Sequence, residues 1–600
     1  LNHPHRVDVL RAAIHATRDR ARLLGWRRAI RQTVAGPAPP DVADYAAWSA
    51  AHCPSAAALA AQRRTVADWP SPPRVSVITP AYNSEPEWLQ ECYASLVAQS
   101  YPHWEWCVAD DASTAAGTRS TLRALADDPR VIVVWLPDNQ GIARASNAAL
   151  RAGTGNICVL LDHDDTLAPE ALFEVASAFH AQPTIELLYS DEDKREVDGT
   201  PCDPYFKPDW SPDLFLSTMY ACHLTAMRRS LVDRVGGFAD GFDGAQDYDL
   251  WLRMTEATAH VHHIPRVLYH WRKVPGSTAA SQSAKPAATD AGLRAVRAAL
   301  SRRQLAADAE PGLRPGHYRI RYRHAASLTS VLMPTYGGSA TAEQAQRAAS
   351  AVASLCATSP DGALEFVCAT EDGTVPAAVI AAAGQAPLRT VHVPGPFNFS
   401  SRINAAAAAA RGPVLLLAND DIEATAPGWL DALRDYALQP EIGAAGPRLD
   451  LPDGRVQHAG ILLGVRGIAA HAFHHAPGTH EGYFGSLISP RNLSAITGAC
   501  LMTRAAVFHD VGGFDPALPI DFNDVDYCLR LRQRGLRIVC TPFARLTHHE
   551  GASLGTRAPG AAATRVMRER WQATIARDPY YNPNLSTDTV DYRFADSRNA

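Results

Sequence analysis

Three acidic residues in four positions, Asp162, Asp164 and Asp165 of LLDHDDTL (160–167), directly follow the apolar run NICVLL. Carboxylates crowded in this way repel one another, and a cation bridging them removes the repulsion. Alternate positions on a strand that is turning away bring two carboxylates to one point, and such hard oxygen donors suit Mg²⁺ or Mn²⁺. A site of this kind keeps coordination positions open for phosphate oxygens, so the ligand it implies is a diphosphate. The competing explanation is a helix start, with Asp165 or Thr166 as N-cap, Pro169 in the first turn and Glu170 near the positive end of the dipole. Capping accounts for Asp165 or Thr166 and leaves Asp162 and Asp164 over.

A second acidic pair, Asp247 and Asp249 in GFDGAQDYDLWLRM, leads into an amphipathic helix. Capping is again the simple account of either residue. Against it, Asp524 and Asp526 hold the same places in DFNDVDYCLRLR, where the surrounding sequence has diverged. A carboxylate close to a bound diphosphate is suitably placed to take a proton from an incoming hydroxyl. His270 follows an apolar strand, where a lone histidine is ordinarily structural, but its recurrence as His548 favours a metal or phosphate ligand.

These motifs need a scaffold, and the chain carries it twice. VSVITPAYN (75–83) returns as TSVLMPTYG (329–337), LLDHDDTLAPEAL as LLLANDDIEATAPGWL, VGGFADGFDGAQDYDLWLRM as VGGFDPALPIDFNDVDYCLRLR, and VLYHW as RLTHH. Pro80 to Asp162 is 82 positions and Pro334 to Asn419 is 85; Asp247 to His270 is 23 and Asp524 to His548 is 24. The middle interval is 85 in the first copy and 105 in the second, so the second carries an insert before its late acidic motif. Within each copy, short β-branched runs alternate with helical stretches, which predicts an α/β fold with a mainly parallel sheet. Ligands in such sheets sit beyond the carboxyl ends of the strands, where the acidic cluster lies. The division this implies is a helical segment and linker over 1–73, a first domain over 74–280, a largely helical, basic connector over 281–326, a second domain over 327–556, and a helix with an extended arm over 557–600.

Composition narrows the class. Six hundred residues exceed one core. A formal net charge of −5 gives no global attraction to nucleic acid. Eleven cysteines are scattered without C-x-x-C spacing, which reads as reduced thiols in a cytoplasmic protein. No apolar run is long enough to span a bilayer. Residues 6–31 form a basic amphipathic pattern that serves either as a docking or oligomer helix or as a peripheral contact with the inner face of the cytoplasmic membrane. There is no G-x-x-x-x-G-K-[ST] loop, no G-x-G-x-x-G turn after the first strand and no G-x-S-x-G elbow. The histidines of HAFHH (471–475) lack a metal-site pattern and read as surface or acceptor-cleft residues.

Both copies resemble the family 2 glycosyltransferases of GT-A fold, and the tandem arrangement resembles bacterial enzymes of O-antigen and cell-surface polysaccharide assembly, rhamnosyltransferase-like members included. The resemblance covers about 75–280 and 327–556. It rests on TPAYN, VADDAS, LDHDD, YSDEDK, FKPDWSPDL and GFDGAQDYDLWLR in the first copy, and on PGPFNFSSRINAA, NDDIEATAPGWL, DGRVQHAG and FNDVDYCLRLR in the second. It implies inverting transfer of a sugar from a nucleotide-diphosphate donor, deoxythymidine-diphosphate rhamnose being one such donor, to a lipid-linked or oligosaccharide acceptor. By the same resemblance, Pro80 and Tyr82 frame the base, Asp111 contacts it and Arg144 lies near the donor. Asp164 binds the metal, Asp162 meets ribose or the metal, His270 completes the site, and Asp247 is the general base. In the second copy Asp421 and His548 are the metal-site residues and Asp524 the base, but Asn419 replaces one carboxylate, and Thr370 and Glu371 stand where the first copy has Asp110 and Asp111. A second active centre is therefore expected, with a catalytic domain joined to an acceptor-binding scaffold as the alternative. A sugar-phosphate nucleotidyltransferase is the rival from another class.

Overall fold

The computed structural model describes residues 42–274, 286–549 and 559–595; the basic segment 6–31 lies outside them. Two sheets carry the fold, with strands in the same order. From edge to edge the first runs Val131–Trp135, Trp104–Asp110, Val75–Ala81, Ile157–Leu160, Thr225–Arg228, Leu187–Arg195, Val261–Arg272 and Thr166–Leu167. The second runs Leu388–His392, Leu364–Thr370, Thr329–Pro334, Val414–Ala418, Cys500–Arg504, Ile442–Asp450, Arg537–His548 and Ile422–Ala424. The first four strands of each are parallel. Thr225–Arg228 and Cys500–Arg504 run antiparallel to both their neighbours, so each sheet is mixed, mostly parallel, and covered by helices as the strand and helix alternation predicts.

Sheet order places the site. Val75–Ala81 connects forward to a strand on one side, whereas Ile157–Leu160 lies on its other side. This reversal opens a crevice at the carboxyl ends of the two strands, where Tyr82 and Asp162 leave the sheet. Repetition extends to buried polar contacts. The Ser76 hydroxyl donates to Glu105 at 2.7 Å, and Glu105 also accepts the Gly155 N–H at 3.0 Å; Ser330 donates to Glu365 at 2.6 Å, and Glu365 accepts the Arg411 N–H at 2.7 Å. Each glutamate thus ties down the loop that feeds the acidic strand.

The repeated VGGF has a physical reason too. Asn147 donates to the Phe238 carbonyl and accepts its N–H, at 2.8 and 2.9 Å, and Asn404 does the same to Phe514, at 2.7 and 2.8 Å. Gly237 has a φ of +70°, and a Cβ there would lie 2.4 Å from the Asn147 Oδ1. Only glycine fits, and the turn aims the helix Gln246–Ala257, with Asp247 in its first turn.

One expectation needs correction, and another gains detail. The connector is helical over Pro286–Arg302 but continues as an antiparallel hairpin, Ala307–Pro311 with Tyr318–Tyr322. Tyr318 and Ile320 are buried while Arg319 and Arg321 alternate with them on the other face, a period of two that marks a strand. The C-terminal arm, after the helix Ala561–Ala576, packs against both domains. Asp578 accepts from the Leu463 N–H and the Ser494 hydroxyl, and Asn582 donates to Asp191 and to the Lys207 carbonyl.

Asp191 and Asp209 also flank His263, at 2.9 Å from Nε2 and Nδ1. Burial opposes charge on this imidazole, yet the two carboxylates raise its pKa above the ordinary histidine value. A raised folded pKa means that the contact stabilises fully below about pH 6.5 and is lost as pH rises through the folded value. The thermal midpoint is therefore expected to fall from pH 6.5 upward more steeply in the native chain than in His263→Gln, as read by scanning calorimetry across that range.

An ion pair between a buried aspartate and a half-buried arginine joins the domains directly. The Arg537 Nε lies 2.8 Å from Asp213, which also accepts from the Asn492 amide at 2.6 Å. Asp213→Ala removes the partner of the half-buried Arg537 and of the Asn492 amide, at a cost of about 1–3 kcal/mol, and urea titration of the full chain should show the loss.

Candidate active site

Asp162 is the second residue beyond the strand Ile157–Leu160. Its N–H donates to the Tyr269 hydroxyl, which donates to Asp165 at 2.6 Å, and Asp165 also accepts the Arg272 N–H at 2.7 Å. Asp165 is therefore the buried anchor of the loop, its carboxyl pushed well up by burial and then by Asp164 and Asp162. It is not a helix cap: Thr166–Leu167 is a short strand and the helix starts at Ala171. Asp162 and Asp164 are half-buried. Burial raises the Asp162 carboxyl, the charges of Asp164 and Asp247 raise it further, and His223 opposes them.

Asp247 and Asp249 divide their roles. Asp249 is buried and bound by Arg253 at 2.8 Å, one helical turn on, and Asp526 is bound by Arg530 in the same way. Asp247 Oδ1 accepts the neighbouring Tyr248 N–H at 2.8 Å. Burial raises its carboxyl and His223 counteracts the rise.

His223 is the residue that sequence reasoning missed. It leads into the antiparallel strand Thr225–Arg228 and stacks on Tyr269 with centroids 4.5 Å apart. Its backbone N–H donates to Glu192 at 3.0 Å, its imidazole Nδ1 lies 3.4 Å from the same carboxylate, and the fully buried Lys207 ammonium donates to that carboxylate at 2.9 Å. Burial resists charge on the imidazole, but the Glu192 hydrogen bond and charge, then Asp162 and Asp165, raise its pKa to about 9. His223 thus opposes the burial-driven rise of both the Asp162 and the Asp247 carboxyls, each of which still lies above the ordinary aspartate value. YACHLT (220–225) carries no motif signal for it; only the sheet brings it there.

The other expected residues are distributed as follows. Pro80 lies in the strand Val75–Ala81, and Tyr82 just beyond it is 47% exposed. Asp111 uses both carboxylate oxygens on the Gln140 and Gly141 N–H groups, at 2.7 and 2.9 Å, and so shapes the loop before the helix Ile142–Ala152. Neighbouring Asp110 is buried, and its Oδ1 has no partner among the described residues. Arg144 is exposed and paired with Asp240 at 2.8 Å.

His270 is corrected by strand register. It lies opposite Thr166, whereas His548 lies opposite Ile422. Counting from the paired strand starts Ile157 and Val414, Ile422 holds the place of Asp165, one residue earlier than Thr166. In antiparallel pairing that shift puts His548 where the first copy has Trp271, and a one-residue slip turns a side chain to the other face. His548 accordingly meets Asp421, Nε2 to Oδ1 3.2 Å. His270 instead donates from Nδ1 to Asp193 at 2.6 Å and contacts Arg195. The second centre also lacks the other imidazole, because Ala499 holds the place of His223, each five residues before the arginine that pairs the strand start. Each centre therefore has a histidine delivered beside its acidic motif by a different strand, and the first also carries His163 within the motif, 4.0 Å from Asp164.

In the second centre Asp420 accepts from the Thr335 hydroxyl at 2.7 Å. Burial raises its carboxyl to about 6 against that bond, with Asp421 adding to the rise. Asp524 accepts the Gly498 N–H at 2.8 Å and begins the helix Asn523–Gln533 as Asp247 begins its own. Glu371, in the place of Asp111, is bound by Arg402 at 3.1 Å.

Among the described residues no group of three or more His, Cys, Asp or Glu is arranged to hold a metal ion. Asp162 and Asp164 still fit a divalent cation in one respect: they are two crowded oxygen donors whose mutual repulsion a cation relieves. The chain would supply a minority of the ligands, the rest coming from bound phosphate and water.

An acidic strand end and a helix-borne carboxylate at the reversal point of a mixed sheet, present twice, belong to two GT-A-like α/β domains. The chain matches the family model described as Glycosyl transferase family 2 over 76–236 and that described as Glycosyltransferase like family 2 over 339–574. It belongs to the family 2 glycosyltransferases, with two tandem domains of that family. It is 39% identical over 543 residues to an uncharacterized protein y4gI of Sinorhizobium fredii, covering 88% of this chain and 59% of that one. It is 38% identical over 578 residues to the O-antigen biosynthesis protein RfbC of Myxococcus xanthus, covering 95% and 44%. The chain thus spans about half the length of these relatives. A mannosyltransferase from Pyrobaculum calidifontis, solved with GDP-Man and Mn²⁺, is similar at 22% identity and a TM-score of 0.29, covering 42% of this chain and 74% of that one. Among the described residues no helix is long and apolar enough to cross a membrane.

Proposed function

We propose that the chain is a bifunctional inverting glycosyltransferase of cell-surface polysaccharide assembly, each domain moving a sugar from a nucleotide-diphosphate donor to a growing, lipid-linked or free, oligosaccharide. The observation that carries this reading is the recurrence of one arrangement, an acidic motif after the fourth parallel strand and an aspartate in the first turn of the late helix, in two sheets of identical strand order. Scaffold contacts alone would not require Asp247 and Asp524, because Asp249 and Asp526 already make the helix-anchoring ion pairs.

In the first centre Asp247 takes the proton from the acceptor hydroxyl as that oxygen attacks the anomeric carbon from the face opposite the leaving diphosphate. His223 counteracts the burial-driven rise of the Asp247 and Asp162 carboxyls, and its imidazole, when protonated, opposes the negative charge that grows on the leaving group. Pro80 and Tyr82 flank the base, and Asp111 sets the loop at its edge. Asp162 and Asp164 would hold a Mg²⁺ or Mn²⁺ ion, which when bound neutralises diphosphate charge. In the second centre Asp524 is the base, and Asp421 with His548 serves the donor side.

A donor screen with the intact protein tests the reading: release of nucleotide diphosphate, dependent on an oligosaccharide acceptor, from at least one nucleotide sugar. Pyrophosphate release from a nucleoside triphosphate and sugar phosphate would instead identify a nucleotidyltransferase.

A further inference from the structure

Behind the first centre lies a cavity of about 220 Å³, which none of the residues of the proposed transfer step enters. Four parts of the chain line it: the N-terminal helix Val42–His52 and the residues just after it, the segment 168–170 with the strand Val261–Arg272, the end of the strand Leu187–Arg195, and the C-terminal arm at Asn584. Its position follows from the strand register, since Tyr269 turns toward the catalytic loop and His270, the next residue, turns the other way. Tyr45, on the N-terminal helix, donates to Asp193 at 2.9 Å, and Asp193 holds His270, so the helix is fastened to this wall.

The polar groups of the cavity are of two opposed kinds. Glu170 is 5% exposed, and its Oε2 is buried with no hydrogen-bond partner among the described residues. A buried carboxylate oxygen without a donor needs an explanation. Arg195 and Arg266 both place guanidinium groups on the lining, Arg195 beside His270 and 3.6 Å from Asp193, Arg266 paired with Glu174 at 3.2 Å. A simple cation would be repelled by the two guanidiniums, and a simple anion by Glu170, while Asp193 and Glu174 already answer the arginine charges. A neutral ligand with adjacent hydroxyls serves both, donating to the carboxylate and accepting from a guanidinium. The remaining walls are flat and apolar: Trp48, stacked on His52 with centroids 3.9 Å apart, together with Pro169 and Pro265. Ring faces and prolines suit the C–H face of a sugar, and the volume lies below that of a site for a drug-sized ligand.

We infer that this cavity is a saccharide subsite that takes one neutral pyranose residue, distinct from the donor crevice. The hydroxyl-rich chemistry stands on the cavity alone; naming the growing glycan as the source of the sugar rests on the transferase reading.

The test is binding, measured by saturation-transfer NMR and calorimetry on the full chain, with methyl glycosides of rhamnose, mannose, glucose, galactose and N-acetylglucosamine as probes. At least one should bind the native chain and Asp247→Asn alike, weaken tenfold or more in Glu170→Gln, and be lost in Ser49→Trp, which fills the cavity from the helix side. Circular dichroism and thermal midpoints confirm that each variant is folded. A longer oligosaccharide of the binding sugar should bind at least as tightly as its methyl glycoside if the growing chain is the source, and more weakly if only free sugar fits. The subsite is overturned if no probe binds, or if Glu170→Gln and Ser49→Trp both bind as the native chain does. Because the readout is binding rather than turnover, failure of the transferase reading in the donor screen is seen separately.

Discussion

Asp247→Asn is expected to lower sugar transfer by the first centre roughly 10²–10⁴-fold while leaving nucleotide-sugar binding within a few-fold of native. The substitution keeps the shape of the side chain and the acceptor oxygen that receives the Tyr248 N–H, so the start of the helix is preserved. What it removes is the capacity to accept a proton. It also removes one of the charges that raise Asp162, so donor binding has no electrostatic reason to weaken. Acceptor-dependent release of nucleotide diphosphate gives the rate, and calorimetric titration with the nucleotide sugar gives the affinity. A matched loss of both would mean that Asp247 holds the donor rather than the acceptor.

Asp164→Ala should cost the first centre roughly 10²–10³-fold and act differently, by weakening donor binding and abolishing its dependence on Mg²⁺ or Mn²⁺. The half-buried Asp164 has no anchoring duty comparable to that of Asp165, whose two oxygens are taken by Tyr269 and the Arg272 N–H. Asp165→Asn is therefore the control: it should lower stability more than it changes the response to divalent ions. Titration of donor affinity against metal concentration in the two variants separates a ligand-holding carboxylate from a loop-holding one.

Much of this arrangement was legible in the chain because it is written twice. Strand and helix alternation predicted the mixed, mostly parallel sheet, and recurrence marked both aspartates of each late motif without separating them; the ion pairs of Asp249 with Arg253 and of Asp526 with Arg530 are what set Asp247 and Asp524 apart. The histidines show the limit. His270 and His548 align in VLYHW and RLTHH, yet the spacings of 23 and 24 from the acidic helix already differ by one residue. In a strand that single step reverses the side chain, and only the pairing with Thr166 and Ile422 shows which histidine faces the motif. His223 was out of reach for another reason. Its role depends on Glu192, Lys207 and Asp162, up to 61 residues away in the chain and brought together by non-consecutive strands. The connector hairpin was hidden by its length, since five-residue strands offer little periodicity beside a 17-residue helix.

The claim on which the rest depends is that two aspartates, Asp247 and Asp524, drive two separate transfers. Mass spectrometry of the glycan made by the full chain, compared between Asp247→Asn and Asp524→Asn, tests it directly. Each variant should stop at a different point, lacking a different sugar or linkage. A product from Asp524→Asn identical in length and composition to the native one would contradict it and leave a single catalytic domain beside a scaffold.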